Sequence, residues 1–301
     1  MSDWRPEHEL SIDAAAALVT AQFPQLAPVE VRPFGAGWDN TAYLVNARYV
    51  FRFPRRQLAA PFMETESRAL PALAPLLPVP IPAPLFVGQP AGGFPWAFAG
   101  YALLPGRTAC RRDLDDAARA RLARPIAAFL RALHAIRVEP AMGLPPDTFR
   151  RLDVPRRREL ALQRLDELRP TGLIDDEAPY RAILDLPISE TSPAPHAICH
   201  GDLYARHVLV DDAGDLSGII DWGDIHRGDP AVDLCIAYTL FPPAGRREFF
   251  DEYGAIDSTT VARVRLRALG HTLSLVAYAH ETKEPDLMRE SVASLRNLTA
   301  D

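Results

Sequence analysis

Five side chains able to hold a cation or pass a proton, His200, Asp202, His207, Asp221 and Asp224, crowd into one stretch of this chain. That stretch, Pro195 to Pro230, reads PHAICHGDLYARHVLVDDAGDLSGIIDWGDIHRGDP. Ala197-Ile198-Cys199 makes a short apolar strand, His200 to Arg206 a polar loop, and two further apolar runs follow, His207 to Val210 and Gly218 to Ile220. Asp211-Asp212-Ala213-Gly214-Asp215 is a turn between those runs, so they pair as a hairpin. The hairpin sets Asp202 and His207, at its entrance, beside Asp221 and Asp224 at its exit. Three carboxylates and an imidazole then surround one small volume. Like charges about 4 Å apart in a partly dry site repel by roughly 4 kcal/mol, so a cation belongs among them. Carboxylates favour Mg²⁺, which leaves part of its octahedron for water and substrate phosphate oxygens, and such a centre suits phosphoryl transfer.

At these residues the chain resembles the aminoglycoside phosphotransferase family, which shares the protein-kinase fold. His200-Gly201-Asp202-Leu203, then His207, then Ile220-Asp221-Trp222-Gly223-Asp224 are similar to that family's catalytic and metal-binding segments. In kinases an HRDxxxxN loop supplies the base and a metal ligand, and a DFG aspartate holds Mg²⁺. The resemblance implies that Asp202 is the catalytic base, with Asp221 and His207 as Mg²⁺ ligands. His207 stands five residues after Asp202, where most relatives carry Asn. The aminoglycoside 2''-phosphotransferases and macrolide phosphotransferases are similar to this chain in having His there, which makes them the nearest subgroup.

Singly, these residues have plainer uses. A loop Asp forms turns or caps helices, and a lone His is more often hydrogen-bonded structure than a ligand. Asp229 and Asp233 fit that description, since they open a helix over Pro230 to Leu240 and a carboxylate there caps free N–H groups. Two rival classes also fit part of the pattern. One is a nucleotide-binding pseudokinase that signals or scaffolds. The other is a metal-dependent hydrolase with His200, Asp202, His207 and Asp221 as ligands, which leaves the N-terminal third unexplained.

That third supplies the elements a phosphate-handling site needs. Ser11 caps a helix to Phe23, and three antiparallel strands follow over 29–34, 41–45 and 49–53. Gly35 and Gly37 sit at the first turn, either as plain turn formers or, as the resemblance implies, in a loop over nucleotide phosphates. Arg52 is an exposed strand residue or, by its match to the FKFP-type strand of the 2''-phosphotransferases, the cation on the α and β phosphates, with Arg in place of Lys. Met63 to Leu77 is a helix on which the resemblance makes Glu66 the partner of Arg52 and Glu64 the solvent-facing residue. Prolines 75, 78, 80, 82 and 84 exclude helix and make an extended connector. It leads to strands over 85–87 and 96–104, and Tyr101 to Gly106 resembles the family's hinge, where the backbone of Tyr101 and Leu103 meets a purine.

From there the chain turns helical. Leu122, Ile126, Phe129, Leu130 and Leu133 form the buried stripe of a helix over Asp113 to Ile136, and His134, near its end, is a structural residue by its place. Helices follow over 154–168 and 179–184, and after the central stretch over 231–240, 246–252, 258–281 and 285–298. Family members hold cationic drugs with acidic residues in this C-terminal part, so Asp224, Glu281 and Glu284 are acceptor-side candidates; a solvated helix end explains the last two equally.

The expected fold is α+β and bilobal, protein-kinase-like: an N-terminal antiparallel sheet lobe with a helix, residues 1–105, and a larger, mainly helical C-terminal lobe, 106–301. The implied activity is transfer of the γ-phosphate of ATP or GTP to a hydroxyl of an aminoglycoside-like or macrolide-like antibiotic or a metabolite such as an amino alcohol. The 301 residues are 48% hydrophobic, enough for a full core, and the net charge of −6, with no basic tract beyond Arg156-Arg157-Arg158, argues against nucleic acid. Three cysteines without CxxC spacing, no long apolar run and no signal-like N-terminus point to a reducing, cytoplasmic setting away from membranes, with the chain as a monomer.

Overall fold

The computed structural model describes residues 6–188 and 197–300; Pro195 and His196 of the central stretch lie outside them. Ser11 accepts the N–H of Ala14 at 3.2 Å and starts helix α1 (Ile12–Gln22). Five strands follow, β1 (Val31–Ala36), β2 (Asn40–Val45), β3 (Tyr49–Pro54), β4 (Pro84–Gly88) and β5 (Phe98–Ala102), in the order β1-β2-β3-β5-β4 with every neighbour antiparallel. Asn46 and Ala47 make the β2–β3 turn with φ of 53° and 52°, the left-handed pair that matches the twist of two strands. Helix α2 (Ala60–Leu73) runs between β3 and the proline-rich connector.

Strand alternation sorts the side chains of this sheet into two faces. Phe51 and Phe53 of β3 and Phe98 of β5 face α1 and pack with Phe23, Phe86 and Phe94. Arg52, between the two phenylalanines, must therefore face the other way. Ala99 and Tyr101 share that second face, where they meet Met63 of α2.

The rest is helical apart from short strands. Asp115 caps α3 (Asp116–Ala135) and Asp153 caps α4 (Val154–Leu168); α5 (Ala178–Leu184) follows. β6 (Arg107–Thr108) pairs with β8 (Val208–Val210), and β8 with β9 (Leu216–Ile219); β7 (Ala197–Cys199) pairs with β10 (His226–Gly228). Then come α6 (Ala231–Leu234), α7 (Ile236–Thr239), α8 (Pro243–Tyr253), α9 (Ser258–Thr282) and α10 (Pro285–Thr299). The α+β expectation and the β8–β9 hairpin hold. The single helix expected over 230–240 is instead two short ones meeting at Cys235, and β6 and β10 were not anticipated. No helix among the described residues is long and apolar enough to cross a membrane.

Candidate active site

Strand β7 ends at Cys199, and the loop that starts at His200 is held from below by Asp233. This fully buried carboxylate accepts the N–H of His200 at 2.7 Å and of Gly201 at 2.8 Å, and lies 3.2 Å from His134 Nε2. Burial alone would raise its pKa, but His134, His200 and the Gly201 N–H outweigh that and hold it at about 2. The expectation that Asp233 caps its own helix is thus wrong: it binds the chain's central loop. Asp229 does accept the N–H of Ala231, at 2.9 Å, as expected. His134 is structural, between Asp233 and the Tyr253 hydroxyl at 2.8 Å.

Gly201 has φ +91°, and a Cβ there would stand 2.3 Å from the Asp224 carbonyl oxygen, so only glycine fits. His200 ties the same two loops. Its Nε2 donates to the Ile220 carbonyl at 3.0 Å, and its Nδ1 accepts the Asp202 N–H at 3.3 Å. Burial pushes its pKa down to about 4, so it stays neutral with both nitrogens engaged. His200 is therefore no metal ligand, and the four-ligand hydrolase site loses a member.

Asp202, His207 and Asp221 converge above this frame. The Ile220 N–H extends the hairpin by bonding the His207 carbonyl at 2.9 Å, which sets Asp221 opposite the end of His207. His207 Nδ1 donates to the Asp202 carbonyl at 2.7 Å and lies 3.7 Å from Asp202 Oδ2; its Nε2 lies 3.2 Å from Asp221 Oδ2. With Nδ1 committed as a donor, the neutral ring turns its Nε2 lone pair toward Asp221, the orientation a metal-binding imidazole needs. Asp221 adopts φ +64°, an unfavourable conformation for a non-glycine residue and one that clusters at working sites. Enclosure would raise its carboxyl, but Arg52 and His207 hold it far below the usual range, although nearly half of its side chain is accessible (48%). Burial would lower His207, but Asp221 and Asp202 raise it on balance. Burial raises Asp202 to about 6, near where a base works best. The Asp221 carboxylate is the donor a hard divalent cation prefers, with the softer His207 imidazole nitrogen beside it and room for water and phosphate oxygens in the rest of the shell.

The sheet supplies the opposite wall. Arg52 bonds buried Glu66 through Nη1 at 2.8 and 3.1 Å, and Asp221 through Nη2 at 2.8 Å. Glu66 is 1% exposed and Glu64 exposed, the partition expected. The Tyr101 ring lies under the Arg52 guanidinium, and its hydroxyl donates to Met63 Sδ at 3.4 Å. The Leu103 N–H already bonds the Arg48 carbonyl at 2.9 Å, so that amide is not available to a purine. A Cβ at Gly35 or Gly37 would meet no protein atom within 4 Å, so packing demands neither glycine. Their turn is held by Arg55 Nη1 on the Gly37 carbonyl (2.7 Å) and Arg56 on Asp39 (2.5 Å), and Trp38 at its tip meets Tyr278 of α9 edge-on, centroids 5.0 Å apart.

Two of the three acceptor-side carboxylates turn out to be matched. Asp224 pairs with buried Arg151 at 2.5 Å, which also holds Asp147 at 2.6 Å, and Glu284 pairs with Arg206 at 3.0 Å; Glu281 is exposed. Sequence reasoning missed Arg151, Arg267 and His271. The last approaches Asp202 Oδ1 with Nε2 at 3.6 Å, and its one signal was the i, i+4 spacing with Arg267 on α9.

A family model described as "Phosphotransferase enzyme family" matches residues 30–269. Among solved structures, the GDP and kanamycin complex of APH(2")-IIia is 26% identical with a TM-score of 0.69, covering 94% of this chain and 97% of that one. The macrolide 2'-phosphotransferase MphH from Brachybacterium faecium, 23% identical over 93% of this chain and 98% of its own with a TM-score of 0.62, shares the fold. Among curated proteins, the uncharacterized protein YcbJ of Bacillus subtilis (strain 168) is 34% identical over 65 residues, and the match spans 21% of each chain.

Proposed function

Because this chain belongs to the phosphotransferase enzyme family, we propose that it is a Mg²⁺-dependent small-molecule kinase that moves the γ-phosphate of ATP or GTP to an acceptor hydroxyl. The acceptor is an aminoglycoside-like or macrolide-like antibiotic or a related metabolite. One observation carries the reading: the His207 ring lies 3.7 Å from the Asp202 carboxylate and 3.2 Å from that of Asp221, opposite the Arg52–Glu66 pair.

Asp202 orients the acceptor hydroxyl and takes its proton, a role its pKa of about 6 suits. His207 and Asp221 would hold Mg²⁺, which when bound neutralises charge on the phosphates. Arg52, fixed by Glu66, steadies the α and β phosphates, with Gly35 and Gly37 allowing close approach of backbone to them. Tyr101 and Leu103 border the purine, Tyr101 from beneath Arg52 and Leu103 without its N–H. Residues 1–105 would be the nucleotide lobe and 106–301 the catalytic and acceptor lobe, working as a cytoplasmic monomer where nucleoside triphosphates are available.

The test is nucleotide consumption with ATP and GTP over a panel of aminoglycosides, macrolides, amino alcohols and other hydroxylated metabolites. Acceptor-dependent turnover that vanishes in Asp221→Asn is expected. Turnover unchanged in that variant, or no binding of Mg²⁺-nucleotide at all, would overturn the proposal.

A further inference from the structure

Asp202 has two sides. His207 Nδ1, from the hairpin, lies 3.7 Å from Oδ2, while His271 Nε2 of α9 lies 3.6 Å from the other oxygen, Oδ1. Given the kinase reading, on which the acceptor's placement rests, phosphate is held over His207 and Asp221, so an acceptor hydroxyl in line with it reaches Asp202 from the α9 side.

That side is cationic. Arg267, one turn before His271, extends Nη2 to the Gly201 carbonyl at 3.4 Å, one residue from Asp202, and its buried Nε has no hydrogen-bond partner among the described residues. Arg157 of α4, which packs on α9, donates Nε to the Arg150 carbonyl at 3.0 Å and an Nη to the Phe149 carbonyl. Carbonyls orient a guanidinium without cancelling its charge. Among the described residues neither arginine has a carboxylate within ion-pair distance, whereas neighbouring Arg151 is matched by Asp147 and Asp224. The crowding registers on the groups themselves: burial and then Arg267 push Arg157 down to about 10, and burial and then Arg267 push His271 well below its usual range.

Of the carboxylates that could hold an ammonium group, Asp224 and Glu284 already face Arg151 and Arg206, and exposed Glu281 stands fourteen residues beyond Arg267 on α9, about 21 Å along the helix. A polycationic acceptor would bring its charges to two guanidinium groups that, among the described residues, have no ion-pair partner. An oxyanion would answer them, and the forked geometry of arginine suits both carboxylate and phosphate.

We infer that the acceptor carries an oxyanion, a carboxylate or a phosphate ester, which Arg157 and Arg267 bind while its hydroxyl lies on Asp202. These arginines are specificity residues, and the natural acceptor is an acidic metabolite in preference to a polycationic drug.

The experiment titrates glycerate, glycerol 3-phosphate, serinol and kanamycin, each bearing hydroxyls, into protein saturated with Mg²⁺ and a non-hydrolysable nucleotide, read by calorimetry. Glycerate or glycerol 3-phosphate is expected to bind, and which of the two binds better tells carboxylate from phosphate. Arg267→Met should weaken that binding about tenfold or more and Arg267→Lys should restore part of it, with nucleotide affinity kept within about twofold in both. Arg157→Met, which also loosens a loop, is read the same way against its unfolding midpoint. Binding of serinol or kanamycin but neither anion, no binding of any probe, or anion affinity indifferent to Arg267→Met would overturn the inference. If Mg²⁺-nucleotide itself fails to bind, the kinase reading falls; the same anion titration on nucleotide-free protein then decides the arginine site separately, by the same loss in Arg267→Met.

Discussion

Asp202 carries the heaviest demand of any single residue. As a base it must be ionised, and its pKa of about 6 stands above an ordinary carboxylate's because burial disfavours the charge. Protonation on the acid side removes the proposed base, so kcat/KM should fall as pH drops, and because a neighbouring Mg²⁺ would lower the carboxyl's pKa, the fall in a profile at saturating Mg²⁺ should come at or below about 6. Asp202→Ala should keep nucleotide affinity while turnover falls by about 10² to 10⁴; near-normal turnover would rule out the assigned role. His200 should differ from a surface histidine, with ring NMR signals moving only as pH approaches about 4. Asp202, His207 and Asp221 were legible in the sequence because a short hairpin joins them. Arg151 was not, because its pairing with Asp224 spans 73 positions and no local pattern encodes it.

The short elements behind the catalytic loop explain why that loop has one shape. Asp233, on the one-turn helix α6, satisfies two buried N–H donors of the loop. Asp233→Ala leaves both unpaired and should cost about 2 to 4 kcal/mol in denaturant unfolding, with turnover falling further than nucleotide affinity. Stability equal to the parent's would contradict the bracing role. Strand alternation and the hairpin turn made β1 to β3 and β8–β9 readable, since each carries its own local signal. The break at Cys235 and the two-residue strand β6 carry none. They exist because the loop and the hairpin need partners that only the folded chain provides.

Across the whole molecule, the N-terminal sheet meets the helical part through Arg52 on Asp221 and Trp38 on Tyr278. Ligand that binds where both parts contribute should stabilise both. At about a hundred times its Kd, Mg²⁺-nucleotide should add about 2.7 kcal/mol and raise Tm by roughly 5 °C, and Arg52→Met should abolish most of that rise in differential scanning fluorimetry. The α+β architecture was legible because composition changes near residue 105 from strand-rich to helix-rich; the contact of Trp38 with Tyr278, far apart in the chain, was not. The Arg52–Asp221 bond also sets how loading begins. At rest the guanidinium already balances the Asp221 charge, so on the proposed reading a Mg²⁺ ion would replace a counter-charge that is in place before it arrives. A chelator should accordingly leave the melting temperature of the nucleotide-free protein where it was.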